Sequence, residues 1–523
     1  MDVPAETTNV TCVGSRPGCF PTIQAAVNAA SPGGKVEIPR GSFAGNITIT
    51  KSVSLVGAGA GLTTIRGGGP VLTIGSATTS QTVMIAALTV TGGVARTGSQ
   101  SRCGPDVATC GPFYTTATAL GGGIETSGGA TVTVLNSRIT GNRAMPTRSV
   151  PSSEAVCPGN VPCRASFGDA AGIDDWGTMT LIGTTVSNNH AAGDQSDGGG
   201  IVDEQGASLT LRGSTVSGNT ASALPPAGRF AAGGGIFVDD GALTVINSHI
   251  DDNGVSIANS IRAPYPEQSG SNDDEQAYSG GVYIAAGSVT IVHSTLDGNA
   301  VTVDTPLGQT VGADAAMCAC GDDQPLSIAS SAVDDNRLSE KALSGPTNGP
   351  NGGILEADPN TTITNTQITG NTITVATPSG DAFAIGALSV LFAGTVTPTI
   401  DNTTISDNVA EAIAPNGTAT VQGAGLLNDG PLLLEDVHIT DNYAVATGKK
   451  GSAEGAGIWN GHLFGGPTSP LTLRGTHVTG NKLRGSPSLT LQGAGIYTPD
   501  FRTTLYSSVV ADNTPDECYG IKC

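Results

Sequence analysis

Short apolar runs, alternating with polar residues and closed by asparagine, recur along the whole chain. Thr133–Asn142 reads T-V-L-N-S-R-I-T-G-N, and related segments end at Asn189, Asn219, Asn253, Asn299, Asn336, Asn371, Asn408, Asn442, Asn481 and Asn513. All eleven copies place an apolar residue three positions before the Asn. Most follow a glycine-rich step into an apolar residue: G-G-G-I at Gly121, Gly198 and Gly233, G-G-V-Y at Gly280, and G-A-G-L or G-A-G-I at Gly423, Gly455 and Gly493. Each unit predicts two or three strands of about four residues with turns between them. The Asn positions are 30 to 47 residues apart, while the strand motifs keep their length, so the variation is assigned to loops. A unit this small cannot enclose a core and must stack on its neighbours. Stacking lines up Ile, Val and Leu inside and pairs backbones at about 4.8 Å. The Asn would take the left-handed backbone of a tight turn and bond to the amide of the next coil.

The ends fit this picture. Thr22–Ala30, T-I-Q-A-A-V-N-A-A, predicts a short amphipathic helix stopped by Ser31-Pro32-Gly33-Gly34, placed to cap the first coil. The division expected is an N-terminal cap over 1–34, one β-helix over 35–513 and a disulfide-closed tail over 514–523. Long loops are expected in 143–171, 254–279 and 300–320. The fold class is therefore all-β, a right-handed parallel β-helix, or solenoid, with a short N-terminal capping helix. Composition agrees: 75 Gly and only 4% aromatic residues suit a stacked repeat better than several globular domains.

The ten cysteines form five close pairs: Cys12 with Cys19, Cys103 with Cys110, Cys157 with Cys163, Cys318 with Cys320, and Cys518 with Cys523. Such pairs predict local disulfides and an oxidising compartment, secreted or at the cell surface. The Cys318 and Cys320 pair closes the shortest loop and is the least comfortable bridge. No apolar run is long enough to span a membrane. Met1-Asp2-Val3-Pro4 lacks the character of an export signal, so a signal peptide is expected to be missing from this sequence. The net charge of −21 argues against nucleic acid as a partner.

Thr22–Gly68 resembles the N-terminal cap and first coils of the pectin-lyase-like superfamily. The later G-G-G-I…S-x-I-x-G-N units resemble right-handed β-helix repeats of bacterial secreted and surface proteins. The resemblance implies the fold; the superfamily spans lyases, glycosidases, esterases, epimerases, tailspikes and adhesins, so it does not choose an activity.

Aligning the glycine steps points to candidate chemistry. The position after the inward apolar residue holds Glu125, Asp174, Val202, Phe237, Tyr283, Leu355, Leu427, Trp459 and Tyr497, all expected to face outward. Beyond it stand Asp175, Trp176, Asp203, Glu204, Asp239 and Asp240. Carboxylates on adjacent rungs suit acid/base work on a glycosidic bond, for which retaining enzymes need about 5–5.5 Å and inverting ones about 6.5–9.5 Å. Asp174, Asp175, Asp203, Glu204, Asp239 and Asp240 are thus candidate catalytic groups. Glu125, Trp176, Phe237, Tyr283, Arg164 and Arg229 are candidate contacts for an extended polysaccharide. Asp175 and Asp203 equally suit turn-closing positions. Hydrolysis leads; a non-enzymatic structural or adhesive solenoid and a Ca2+-dependent lyase stay open. No motif requires a cofactor, and Ca2+ is the one cation the acids suggest. The lyase base would come from Arg143, Arg148, Arg164, Arg229 or Arg262. His249, His438 and His477 share one outward repeat position and read as surface substitutions.

Overall fold

The computed structural model describes residues 10–76, 80–95, 98–99, 117–146, 166–224, 230–258, 275–305, 310–320, 325–342, 355–357, 360–378, 380–391, 397–463, 470–499 and 502–523. One representative coil runs Ile124–Thr126, Ala130–Leu135, Arg138–Thr140, Arg143–Ala144 and Ser166–Asp169, then re-enters the first face at Ile173–Asp175. Each strand pairs in parallel with its counterpart one coil on: Ile124↔Ile173↔Ile201↔Ile236↔Val282↔Met317 on the first face. Among the described residues the first two faces merge into a 27-stranded sheet, because Ile236–Ile246 and Val282–Val292 continue across the bend between them. Among the described residues the third face has 14 strands, one per coil from Gly41–Ala44 to Val509–Ala511. The fourth has 13 described strands, and a fifth sheet with 7 described strands follows it over the middle coils. Among the described residues only Gly98–Ser99 pairs antiparallel in that fifth sheet, with Ala117–Leu120. The molecule is a parallel β-helix.

Each coil holds more strands than its sequence suggests. The stretches 143–171, 254–279 and 300–320, expected to be loops, contain strands of the fourth and fifth sheets, such as Gly254–Ala258, Glu275–Tyr278, Ala300–Thr305 and Thr310–Ala313. Their inward positions are often small (Ala191, Ala221, Ala231, Ala277), so the apolar alternation that marks a strand is faint.

The repeat asparagines form one continuous ladder. From Asn142 to Asn513, each amide Nδ2 donates to the Oδ1 of the next coil's Asn at 2.9–3.1 Å. The second amide hydrogen goes back to the preceding coil, as Asn189 Nδ2 does to the Ile139 carbonyl at 3.1 Å. Glu517 ends the ladder, accepting from Asn513 Nδ2 at 2.7 Å. The left-handed turn lies one residue earlier than expected, on Gly141, Asn188, Gly218, Asp252, Gly298 and their counterparts. Asn itself is buried and serves as the ladder. The glycine step answers to the same ladder: a Cβ on Gly235 would stand 2.7 Å from the Gly281 carbonyl oxygen and 3.0 Å from the Asn253 amide. A parallel Ser/Thr ladder stands five residues before the Asn, with Ser214 N–H donating to Ser248 Oγ at 3.0 Å and Ser248 N–H to Ser294 Oγ at 3.1 Å.

The helix is Ile23–Ala29, N-capped by the Thr22 hydroxyl, and it packs buried Ile23, Ala26 and Val27 against the first strands. Disulfides join Cys12 to Cys19, Cys318 to Cys320 and Cys518 to Cys523, as their spacing predicts. Cys103, Cys110, Cys157 and Cys163, the partners of the other two expected bridges, lie outside the described residues. No helix among the described residues is long and apolar enough to cross a membrane.

Candidate functional site

The fifth sheet feeds directly into the first face through one left-handed residue per coil: Gly121, Ala170, Gly198, Gly233, Ser279, Asp314. The chain therefore folds into a concave corner, with the fifth sheet as wall and the first face as floor. Gly121 marks how close the two approach, since a Cβ there would lie 2.9 Å from Glu125 Cβ and 3.3 Å from Asp174 Cβ. On the wall, alternation turns Gly168, Ser196, Ala231 and Ala277 inward and Asp169, Asp197, Phe230 and Tyr278 toward the corner. On the floor the ladder aligns Glu125, Asp174, Val202, Phe237, Tyr283 and Cys318, with Glu356 on the following coil.

That register corrects one expected position. Leu355 pairs with Met317 and points inward, so Glu356 takes the outward place assigned above to Leu355. The glycine step of that coil is the least regular of the series, which allowed a slip of one residue.

The candidate acids separate into three groups. Asp174 faces the corner but is fully buried, with the Trp176 and Glu204 side chains beside its carboxyl. Burial first, then the charges of Glu204 and Glu125, hold its pKa well above the usual range. Asp175 and Asp203 do not face the corner. They occupy the inward end of the floor strands, on the position held by Thr126 before them and by Asn428, Asn460 and Thr498 later. Asp175 accepts from Thr126 Oγ1 at 2.8 Å, and Gly177 N–H donates to it at 3.1 Å. Burial pushes Asp175 up to about 6 and, with the charges of Asp175 and Glu204 added, Asp203 up to about 8. Asp175 thus takes a local contact from Gly177, whereas Asp203 is bonded by the Ala242 backbone of the next coil.

Glu204, Asp239 and Asp240 form the third group. Asp203 pairs with Val238, so Glu204 and Asp239 follow on adjacent rungs, about 4.8 Å apart along the axis. Glu204 is 5% exposed, whereas Asp239 and Asp240 are at the surface. Asp240 sits in a left-handed turn (φ 58°) where the floor strand bulges. Glu125 and Trp176 are half-buried, and burial raises the Glu125 pKa.

Two further acids of this cluster, Asp169 and Asp197, went unnoticed in the sequence. They end paired wall strands, and the Asp197 backbone N–H donates to Asp169 Oδ1 at 3.3 Å. Burial, then Asp169, Glu204 and Asp239, hold the Asp197 pKa well above normal. The signal was their place immediately before the glycine step, in D-A-A-G and D-G-G-G, which reads as a turn until the wall is known.

Beside the acids lies an aromatic cluster. Phe237 and Tyr283 stack at 5.0 Å, and Phe230 and Tyr278 lean in from the wall, 6.2 and 5.7 Å from Tyr283. Phe237 is largely covered and the other three are half-buried. A second stack, Trp459, Tyr497 and Tyr519, covers the same face at the C-terminal end. Beyond the first cluster come Asp314, Cys318, Cys320 and Glu356, whose ligand atoms all lie within 4.8 Å of one another. Burial holds Asp314 up at about 7, and burial together with Asp314 raises Glu356.

Arg164 and Arg229, with Arg148 and Arg262, lie outside the described residues. Arg143 is exposed on the fourth sheet, paired with Val94 and His190. His249, His438 and His477 are exposed on the third face, as their repeat position suggested.

No family model and no curated protein matches the chain. Solved structures similar to it include pectin methylesterase PemA from Erwinia chrysanthemi, 11% identical over 64% of this chain and 81% of that one, TM-score 0.26. The catalytic domain of a GH87 alpha-1,3-glucanase in complex with nigerose is 13% identical over 97% of this chain and 70% of that one, TM-score 0.32. The Dettilon tailspike protein is 13% identical over 82% and 68%, TM-score 0.32.

Proposed function

We propose that the protein is carbohydrate-active, binding an extended polysaccharide along the corner and cleaving it by hydrolysis. One observation carries this reading: wall acids Asp169 and Asp197 meet floor acids Asp174, Glu204 and Asp239 in one corner, beside half-exposed aromatic rings. A long corner suits a linear polymer, and rings such as Tyr278 and Tyr283 offer faces for sugars. Glycoside hydrolysis needs one carboxyl that keeps its proton and one carboxylate on the other side of the bond. Asp197, half-buried with a raised pKa, fits the acid; exposed Asp239 is the partner, and Glu204 sits next to both. Asp174 is a positioning residue under them. The local disulfides support an oxidising, extracellular setting.

A polysaccharide screen with product analysis, including absorbance of unsaturated ends to separate lyase from hydrolase, tests the reading. Hydrolysis is expected, with kcat lowered about 100-fold or more in Asp197→Asn and Asp239→Asn while circular dichroism stays unchanged. No turnover of any polysaccharide by folded protein, with or without Ca2+, would remove the enzyme. The second reading, a non-enzymatic structural solenoid, is favoured by the complete burial of Asp174, Asp175 and Asp203.

A further inference from the structure

We propose that Asp314, Cys318, Cys320 and Glu356 form a Zn2+ site that exists only when the cysteine pair is reduced. This site lies on the same corner, two coils beyond Asp239, and uses none of the acids assigned to the proposed hydrolysis.

The fold brings four donors together from three places. Met317–Ala319 is a floor strand in which Met317 and Ala319 point into the core, so Cys318 and Cys320, two residues apart, project on the same outer side. Asp314 arrives from the left-handed corner residue (φ 57°) just before that strand. Glu356 comes from the next coil, brought beside Cys318 by the Met317↔Leu355 pairing. Asp314 is 3% exposed and aimed into the group.

In a tetrahedral Zn2+ site with two thiolates and two carboxylates, bond lengths of about 2.3 and 2.1 Å place ligand atoms roughly 3.4–3.8 Å apart. The atoms here already lie within 4.8 Å of one another, so small side-chain rotations suffice. A second observation points the same way. Glu356 Oε2 stands 3.2 Å from Cys318 Sγ and 3.7 Å from Cys320 Sγ. Bridged sulfurs carry no proton to donate to a carboxylate, so the oxidised pair offers Glu356 little. Thiolates sharing a cation with it would hold the same geometry favourably.

The chemistry balances. A dithiol reductant passes two electrons and two protons to the Cys318–Cys320 bond, which breaks to two thiols while the reductant closes its own disulfide. Zn2+ then displaces both thiol protons to solvent and binds two thiolates and two carboxylates.

The test uses the full chain, with bound Zn2+ measured before and after dithiol reduction and anaerobic removal of the reductant. Co2+ serves as a spectroscopic substitute for tetrahedral thiolate ligation. One Zn2+ per chain is expected in the reduced protein, bound at least ~10-fold more tightly than in the oxidised protein. Thiolate absorption should disappear in the double variant Cys318→Ser, Cys320→Ser. Glu356→Gln should weaken binding about 10-fold; should that variant misfold, Asp314→Asn makes the same measurement. Three results overturn the proposal: no uptake after reduction; equal uptake by oxidised protein, which would mean carboxylates alone; or uptake that survives the double serine variant, which would place the metal at another cysteine pair.

Discussion

Asp203 carries the most testable property of any single residue. An aspartate in an unfolded chain loses its proton near pH 3.9. In the folded protein Asp203 keeps it to about 8 and Asp175 to about 6, because burial opposes the charge. Between these limits the folded state binds more protons than the unfolded one, so stability must fall as pH rises from about 4 toward 8. Thermal melts are expected to give a higher midpoint at pH 5 than at pH 8. Asp203→Asn has no charge to suppress and matches the Asn428–Asn460 arrangement on later coils. It should stabilise the protein at pH 8 by about 1 kcal/mol or more and narrow the pH dependence. Equal destabilisation at both pH values would show that Asp203 is held as a carboxylate.

The coil depends on two motifs that fit each other. The Asn ladder satisfies buried backbone groups at every turn, and the glycine step leaves room for it. Asn253 makes the point in full: Nδ2 donates to Asn299 Oδ1 at 3.1 Å and the Val216 carbonyl at 2.9 Å, while Oδ1 accepts from Asn219 N and Nδ2 at 3.1 and 3.0 Å. Asn253→Ala should cost about 2–4 kcal/mol, since several buried groups lose partners at once. Gly235→Ala should also destabilise, by about 1–3 kcal/mol, through its clash with the next coil. Denaturant midpoints of the two variants check both values. An Asn253→Ala loss below about 0.5 kcal/mol would mean that water replaces the ladder. The large-residue strands and the Asn spacing were readable because they repeat. The alanine-rich wall was not, since its short strands lack a contrast between large apolar and polar positions, and Asp169 and Asp197 were lost with it.

Along the whole molecule, coils contact mainly their neighbours, so damage at one end should remain local. Val27, 1% exposed on the helix, tests whether that helix caps the stack. Val27→Asp buries a charge against the first coils. Limited proteolysis is expected to cut the N-terminal coils in that variant and to spare those beyond the middle. Cleavage spread evenly along the chain would instead indicate one cooperative unit. On the same scale, the floor strip changes character along the axis, from acids at Glu125 and Asp174 through rings at Phe237 and Tyr283 to the Asp314–Glu356 group and finally Trp459, Tyr497 and Tyr519.

The chain's periodic pattern alone determined the parallel stack, its inward aliphatic rows, the run of asparagines and the outward line from Glu125 to Tyr283. These follow from local rules that repeat: alternation along a strand, a turn residue at a fixed offset, and one coil matching the next. Tertiary structure alone decided which acids are covered and which meet. Asp174 became buried because a second sheet folds against it, Asp175 and Asp203 turned inward at the strand end, and Asp197 joined Glu204 and Asp239 across a corner. Such meetings depend on the angle between two sheets and on the register between coils, quantities that no local stretch of sequence encodes.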